Sequence, residues 1–243
     1  MKVTIVEAGA QHIKYAEQIC EELALSAAAR GTGIARRKPE YLMGKMAEGK
    51  AVIALVDDKL AGFCYIETWS HNKFIANSGL IVLPQYRQLG LAKKIKQAVF
   101  RLSRKKYPDA KIFGITTSLA VMKINSGLGY KPVTFSELTQ DEEFWKGCTS
   151  CKNFDILTRN ERKMCLCTGM LYDPAQESKM AKINKTVNNL KELIKPKQQQ
   201  QQQPQLKEQL VEIQQDDRGI AKIGKLAGSL KQLFKAKQPK LQS

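Results

Sequence analysis

The sequence predicts an α/β (α+β) fold, a central mixed and twisted β-sheet with helices on both faces. Two patterns in the first 173 residues point there. Short apolar segments alternate with longer segments whose apolar residues recur at helical spacing. A strand that runs into Pro84 is followed, after a short loop, by a strongly amphipathic stretch starting at Gly90. A third observation sets the domain boundary. Beyond Pro174 the chain turns into a low-complexity, basic, Gln-rich tail over 174–243, expected to be partly helical or disordered.

The elements follow in order. Residues 2–7 read as a short strand. Residues 11–26 place Ile13, Ala16, Ile19, Cys20, Leu23 and Ala24 on one helical side. Residues 27–39 hold two glycines and the cluster Arg36-Arg37-Lys38, and read as a loop; 40–48 form a short helix. Strands at 50–56 and 61–69 flank Asp57-Asp58 and make a hairpin. A strand at 75–83 stops at Pro84, and residues 90–107 are a helix with Leu91, Ile95, Ala98, Val99 and Leu102 on one side. A strand at 111–116, a short helix at 118–126 and strands at 130–135 and 163–172 complete the order. In the tail, Pro196, the glutamines at 198–203 and Pro204 form a linker, flanked by helix-prone stretches at 180–194 and 206–237.

The charge balance is lopsided, with 40 Lys and Arg against 23 Asp and Glu, a formal +17. Of that excess, +8 lies in the tail, where 14 basic residues face 6 acidic ones. Such a balance points to an anionic partner. For the tail this means an anionic surface or another helix, or else a solvated segment with no fixed partner. The first residues have no signal-peptide architecture, and no apolar run approaches the ~18 residues that span a bilayer. Six cysteines in such a chain are expected in a reducing, cytoplasmic setting. Cys20 and Cys64 read as small core residues.

The most informative segment is Leu80-Ile81-Val82-Leu83-Pro84 followed by Arg87-Gln88-Leu89-Gly90-Leu91-Ala92. N–H groups at a helix start have no intrahelical partners, and together with the helix dipole they make a site for a pyrophosphate. Gly90 lets an anion approach the main chain, and Ala92 keeps the next turn uncrowded. This Arg-x-x-Gly-x-Ala loop, after a strand and a hydrophobic-x-Pro, resembles the acyl-CoA motif of the GNAT superfamily of N-acyltransferases. That family's second motif, a strand, a helix and then Gly-aromatic, is similar to residues 112–116, 118–126 and Gly129-Tyr130.

The resemblance covers residues 1–173 and implies roles. Backbone groups of Ile81, Val82 and Leu83 would hold the pantetheine arm and polarise the thioester. Arg87 and the N–H groups of Gln88, Leu89, Gly90, Leu91 and Ala92 would hold the pyrophosphate. Acetyl-CoA, or succinyl-CoA, would be the co-substrate, attacked directly by an amine with no covalent enzyme intermediate. Many members carry a tyrosine as general acid four residues before the Gly-aromatic pair. Here that position is Asn125, which can hydrogen-bond a thiol but cannot give up a proton. A Glu on a central strand often serves as base, and Glu67 is the only carboxylate in the strands flanking residue 70.

A narrower resemblance concerns the acceptor. Gly33-Ile34-Ala35-Arg36-Arg37, Thr116-Thr117 and Gly129-Tyr130-Lys131-Pro132-Val133 are similar to segments of the acyltransferase domain of bacterial N-acetylglutamate synthases. Arg36 and Arg37 would grip the carboxylates of a glutamate, because guanidinium supplies planar, two-point donors. A basic surface loop, or contact with the 3′-phosphate of CoA, is the alternative. The amino-acid kinase domain that precedes this unit in such synthases is absent from the sequence.

Cys148, Cys151, Cys165 and Cys167 could form a structural zinc site, since Cys-x2-Cys is a knuckle and Cys165 and Cys167 would share one face of a strand. Separate free thiols or a redox pair are the alternatives. His12 reads as a surface residue at a helix start. His71, in a turn, is either a surface residue or a group that helps deprotonate the amine.

The expectation is thus an acyl-CoA-dependent N-acyltransferase acting on a small-molecule amine, an amino acid and most specifically glutamate. A homodimer is compatible with it. Another amine or a peptide as acceptor, or a CoA-binding module without turnover, remain the alternatives.

Overall fold

In the computed structural model, residues 1–31, 36–177, 183 and 186–190 are described. The apolar segments become β1 (Val3–Glu7), β2 (Ala51–Val56), β3 (Lys59–Trp69), β4 (Phe74–Val82), β5 (Lys111–Thr116), β6 (Lys131–Val133) and β7 (Thr168–Tyr172). They form one seven-stranded sheet in the order β1-β2-β3-β4-β5-β7-β6. All pairs are antiparallel except β4 with β5, so the sheet is mixed. The helices are α1 (Ala16–Arg30), α2 (Pro39–Ala47), α3 (Leu91–Lys106), α4 (Leu119–Ser126), α5 (Glu142–Lys146) and α6 (Phe154–Arg159).

Alternation along the strands sorts these helices onto two faces. Leu91, Ile95, Val99 and Leu102 of α3 pack with Val52, Ile66, Ile75 and Ile112. On the other face, Ile19 and Leu23 of α1 and Leu42 and Met46 of α2 meet Ile53, Phe63, Tyr65 and Ile81. Further along that second face, Trp145 of α5 and Leu157 of α6 cover Ala76, Phe113 and Leu171. Each fully buried aliphatic side chain contributes about 1.5–3 kcal/mol. β2 is buried at every position, which matches its uninterrupted apolar run Ala-Val-Ile-Ala-Leu-Val.

Several boundaries differ from the sequence expectation for physical reasons. Residues 27–30 continue α1 instead of opening a loop, because Ala27, Ala28 and Ala29 favour helix; Gly31, at φ 62°, ends it in the left-handed conformation. The turn before α1, Ala10–Tyr15, is 3-10 helix. β7 starts at Thr168, so Cys165 and Cys167 lie in irregular chain and not in a strand. α5 and α6 span five and six residues, too short to leave a periodic signal. Met1–Pro174 and Ala175–Ser243 are separate compact units. In the second unit residues 186–190 are helical, whereas the expected linker and the stretch at 206–237 lie outside the described residues. Among the described residues no helix is long and apolar enough to cross a membrane.

Two irregularities in the middle of the sheet position the site. First, β4 and β5 pair only at Phe74↔Lys111, Ile75↔Ile112 and Ala76↔Phe113, and then part. Second, β4 carries a bulge. Tyr65 pairs with Ser78 and Phe63 with Ile81, so Gly79 and Leu80 together stand opposite Cys64. Gly79 adopts φ 64°, and a Cβ there would lie 2.5 Å from Tyr65 Cε1. Gly79→Ala should therefore cost about 2 kcal/mol or more in denaturant unfolding, from left-handed strain plus displacement of the Tyr65 ring.

Candidate active site

The loop after β4 is built by three backbone bonds. Leu83 N–H donates to Ala61 O, Tyr86 N–H to Leu83 O and Arg87 N–H to Pro84 O. Gln88 and Gly90 both take positive φ, 68° and 70°, and Gly90 caps α3. The next backbone donor to close is Lys94, onto Gly90 O. The N–H groups of residues 88–92 thus sit at the positive end of a 16-residue helix, with no backbone acceptor among the described residues. A Cβ at Gly90 would meet no protein atom, so the space above the loop is open. Arg87 folds back, its Nε 3.4 Å from Val82 O. This arrangement suits a pyrophosphate.

Where β4 and β5 part, a cavity of about 220 Å³ opens, with walls from both faces of the sheet. Arg37, Tyr65, Glu67, Trp69 and Phe113 line it on the α1, α2, α5 and α6 side; Asn77, Lys96 and Asn125 line it on the α3 and α4 side. Among the described residues, two buried side-chain polar atoms lack a hydrogen-bond partner, Trp69 Nε1 and Asn125 Oδ1. Both residues line this cavity. An orphaned acceptor at Asn125 fits a thiol or amide N–H of an entering pantetheine, so the residues present accommodate acyl-CoA.

Glu67 is 3% exposed and heavily hydrogen-bonded. Its Oε1 accepts from Arg37 Nη2 at 2.8 Å and from Tyr41 OH at 2.6 Å, and its Oε2 accepts from Ser78 Oγ at 2.5 Å. Arg37 Nε also donates to Tyr65 OH at 3.0 Å. Burial opposes the Arg37 charge, but Tyr65 and Glu67 outweigh it and hold the guanidinium protonated. Burial and the neighbouring Glu67 push the Tyr41 and Tyr65 hydroxyls well above their usual range, so both stay as donors.

On the opposite face stands Lys96, 2% exposed. Its Nζ lies 3.4 Å from Asn77 Oδ1 and 5.3 Å from the centre of the Tyr130 ring. Asn77 is fixed by two further bonds: Tyr130 OH donates to Oδ1 at 3.0 Å, and Nδ2 donates to Ser103 Oγ, which itself donates to Val99 O. Among the described residues no carboxylate pairs with Lys96, and burial lowers its pKa from 10.5 to about 8.

The sequence-derived candidates fall into place unevenly. Arg36 and Arg37 separate: Arg37 lines the cavity, while Arg36 is exposed and does not. Gly33, Ile34 and Ala35 lie outside the described residues. Ile81 and Val82 pair with Phe63 and Gly62 on their β3 side. Leu83 has its N–H on Ala61 and its carbonyl on Tyr86, so both backbone groups are already engaged. His12 is buried at 7% exposure, its Nδ1 accepting from Gly9 N–H, and is not a surface residue. His71 sits in a turn at φ 56° and does not line the cavity.

The zinc expectation for Cys148, Cys151, Cys165 and Cys167 needs correction. All four line the cavity, but no group of three or more His, Cys, Asp or Glu among the described residues is placed to hold a metal ion. With Cys165 and Cys167 outside a strand, alternation does not aim them together. Cys151 Sγ accepts from Asn153 N–H, and Cys165 Sγ donates to Asn153 O. Burial pushes the Cys148 thiol up to about 11 and the Cys167 thiol up to about 12.

Tyr41, Ser78, Asn77, Lys96 and Trp69 escaped the sequence reading. Lys96 and Ser103, seven residues apart on α3, were the available signal: both fall on its buried face, where polar residues are out of place.

Residues 36–120, which contain α2, β2 to β5, the loop and α3, match the model of the Acetyltransferase (GNAT) family. The matched part supplies the centre of the sheet, and the sheet built around it is the GNAT fold. No curated protein matches the chain. Among solved structures, N-acetylglutamate synthase from Neisseria gonorrhoeae complexed with coenzyme A and N-acetyl-glutamate is similar, with TM-score 0.50 and 15% identity, over 71% of this chain and 35% of that one. The same enzyme complexed with coenzyme A and L-arginine gives TM-score 0.46 at 15% identity, over 70% and 33%. An acetyltransferase of the GNAT family from Staphylococcus aureus Mu50 gives 0.49 at 13% identity, over 71% and 99%. The chain spans about a third of the length of the two synthase structures, and identities this low speak for the fold alone.

Two stability measurements probe this site. Arg37→Ala strands a buried carboxylate on two hydroxyl donors and should cost about 2–4 kcal/mol by denaturant unfolding, the lower end reflecting the 21% exposure of the Arg37 side chain. For Lys96, the native state loses its proton near 8 while the unfolded chain holds it to 10.5. The unfolded state then binds more protons in that window, so stability should rise with pH between about 8 and 10. In Lys96→Met that component of the rise should vanish.

Proposed function

We propose that residues 1–173 form the catalytic domain and transfer the acetyl group of acetyl-CoA to the amino group of a small acceptor, glutamate being the acceptor of first choice. The observation that supports this best is the cavity at the parting of β4 and β5, with an anion-binding loop at one end of β4 and a buried carboxylate on the far face. The loop of Arg87, Gln88, Leu89, Gly90, Leu91 and Ala92 takes the pyrophosphate. Pantetheine runs beside Ile81 and Val82 toward Asn125.

Glu67 is the only carboxylate lining the cavity among the described residues. It attracts the acceptor's ammonium and receives its proton, directly or through the Ser78 hydroxyl bonded to it. Holding amine and thioester in line through the gap supplies much of the rate. Arg37 retains guanidinium hydrogens beyond those given to Tyr65 and Glu67, and these are offered to an acceptor carboxylate. Arg36, exposed beside it, attracts the acceptor from solvent.

The wall on the Glu67 side carries Trp69, Phe113, Phe144 and Phe154, and Trp69 Nε1 is unpartnered. This favours, as a second reading, an amine with an apolar or aromatic group, such as a peptide end.

The test is release of free CoA thiol by the full-length protein, with acetyl-CoA or succinyl-CoA as donor. Glutamate-dependent release from acetyl-CoA, reduced about 100-fold in kcat/KM by Arg37→Ala and only a few-fold by Arg36→Ala, is the expected result. Release with aromatic amino acids or peptides but not with glutamate would move the assignment to the second reading. Binding of CoA without release for any amine would make the domain a binding module.

A further inference from the structure

Resting on the acyl-transfer reading, we propose that Lys96 is the general acid of the reaction, protonating the departing thiolate on the α3 face of the sheet. Among the described side chains that line the cavity on that face, Lys96 is the one with a proton acidic enough to release in water; Asn77, Asn125, Leu80 and Val121 have none to give, and the hydroxyl of Thr116 is far too weak an acid. Its surroundings explain why it is there. An ammonium at 2% exposure with no acidic partner among the described residues is unfavourable, and packing alone would place an apolar residue at this point of α3. Among the described residues, the titratable groups that face it carry no charge. Cys64 on β3 is pushed up to about 11 by burial, and Tyr130, ahead of β6, is raised well above its ordinary value, so both are neutral at pH 7. Asn77 holds Nζ in place, and Ser103 and Tyr130 hold Asn77.

The parting of β4 and β5 puts this acid opposite the carboxylate. Glu67, Tyr65 and Ala76 belong to one face of the sheet; Asn77, Ile66 and Cys64 belong to the other. The amine therefore arrives from the Glu67 face, and the sulfur leaves on the Lys96 face. The acceptor ammonium first gives one proton to solvent through Glu67; its nitrogen then bonds to the thioester carbon and passes a second proton to Glu67, directly or relayed by the Ser78 hydroxyl, and Glu67 returns it to solvent. The carbon–sulfur bond then breaks, the electron pair goes to sulfur, and Lys96 Nζ transfers a proton to it. The neutral amine of Lys96 is recharged from solvent when CoA leaves. A Lys pKa near 8 lies close to that of a thiol, which suits proton transfer in this direction.

Lys96→Met keeps the unbranched shape of the side chain, one atom shorter, and removes both charge and proton. The full-length variant should fold with a melting temperature no lower than the wild type and should bind CoA. Its kcat with acetyl-CoA should fall about 100- to 1,000-fold with little change in KM. Wild-type kcat should decline above about pH 8, and that decline should be missing in the variant. With an acetyl thioester of a low-pKa aryl thiol, whose thiolate leaves without protonation, the two proteins should differ by less than about 10-fold. The thiol of bound CoA, followed by thiolate absorbance against the ligand-free protein, should titrate lower in the wild type than in Lys96→Met.

A variant that retains the alkaline decline and is equally slow with both thioesters would reduce Lys96 to a positioning residue and overturn the proposal. Should the wild type release no thiol with any acceptor, the acyl-transfer reading falls, and the thiol titration still decides on Lys96: equal titration in both proteins rejects it.

Discussion

Everything in this molecule's candidate chemistry depends on two parallel strands ceasing to pair in the middle of a sheet. β4 and β5 share three register positions and then diverge. Backbone N–H and C=O groups at the centre of a protein are almost always satisfied, so an unpaired interior edge is a standing demand for partners. The bulge at Gly79 and Leu80 enlarges that edge on the β4 side. A ligand with amide groups of its own, long and thin enough to enter the gap, answers the demand as a missing strand would. The two orphaned side-chain atoms, Asn125 Oδ1 and Trp69 Nε1, add an acceptor on one side and a donor on the other.

The opening also separates two environments. On the Glu67 face a carboxylate, a guanidinium and three hydroxyls form a charged and closely bonded group. On the Lys96 face the Lys96 cation sits among amides, a thiol and aromatic rings, without an opposite charge among the described residues. Titratable groups in contrasting environments acquire different proton affinities even when few in number. The sheet between them keeps the two from neutralising each other as an ion pair.

Most of the fold was legible in the sequence, because long helices and buried strands leave periodic patterns and Pro84 and Gly90 mark a sharp strand-to-helix turn. The five- and six-residue helices α5 and α6 and the late start of β7 were not legible, since elements this short bury too few residues to set a period. The candidate anion loop is legible because it is local: every residue in it lies within ten positions of the others. The candidate acceptor side is not. Glu67 was visible as a lone strand carboxylate, but Tyr41 and Ser78 reach it from 26 and 11 residues away. Arg36 and Arg37 look equivalent in sequence, and only the packing of Arg37 onto Tyr65 and Glu67 separates them. The cysteine pairs misled because their spacing presumed a strand that begins one residue beyond Cys167.

Helix α3 has a consequence beyond its packing. Gly90, where the helix begins, and Lys96 lie on one rigid rod, six residues apart, which is about 9 Å along the axis. In the proposed reaction, the end that would take a diphosphate and the group that would meet the sulfur are therefore graduations on a single ruler. A thioester would be gauged by its length: anchored at the helix start, it would reach Lys96 only when its arm has the right span. Shorter carriers would leave the sulfur away from the acid however well their acyl group fits the cavity.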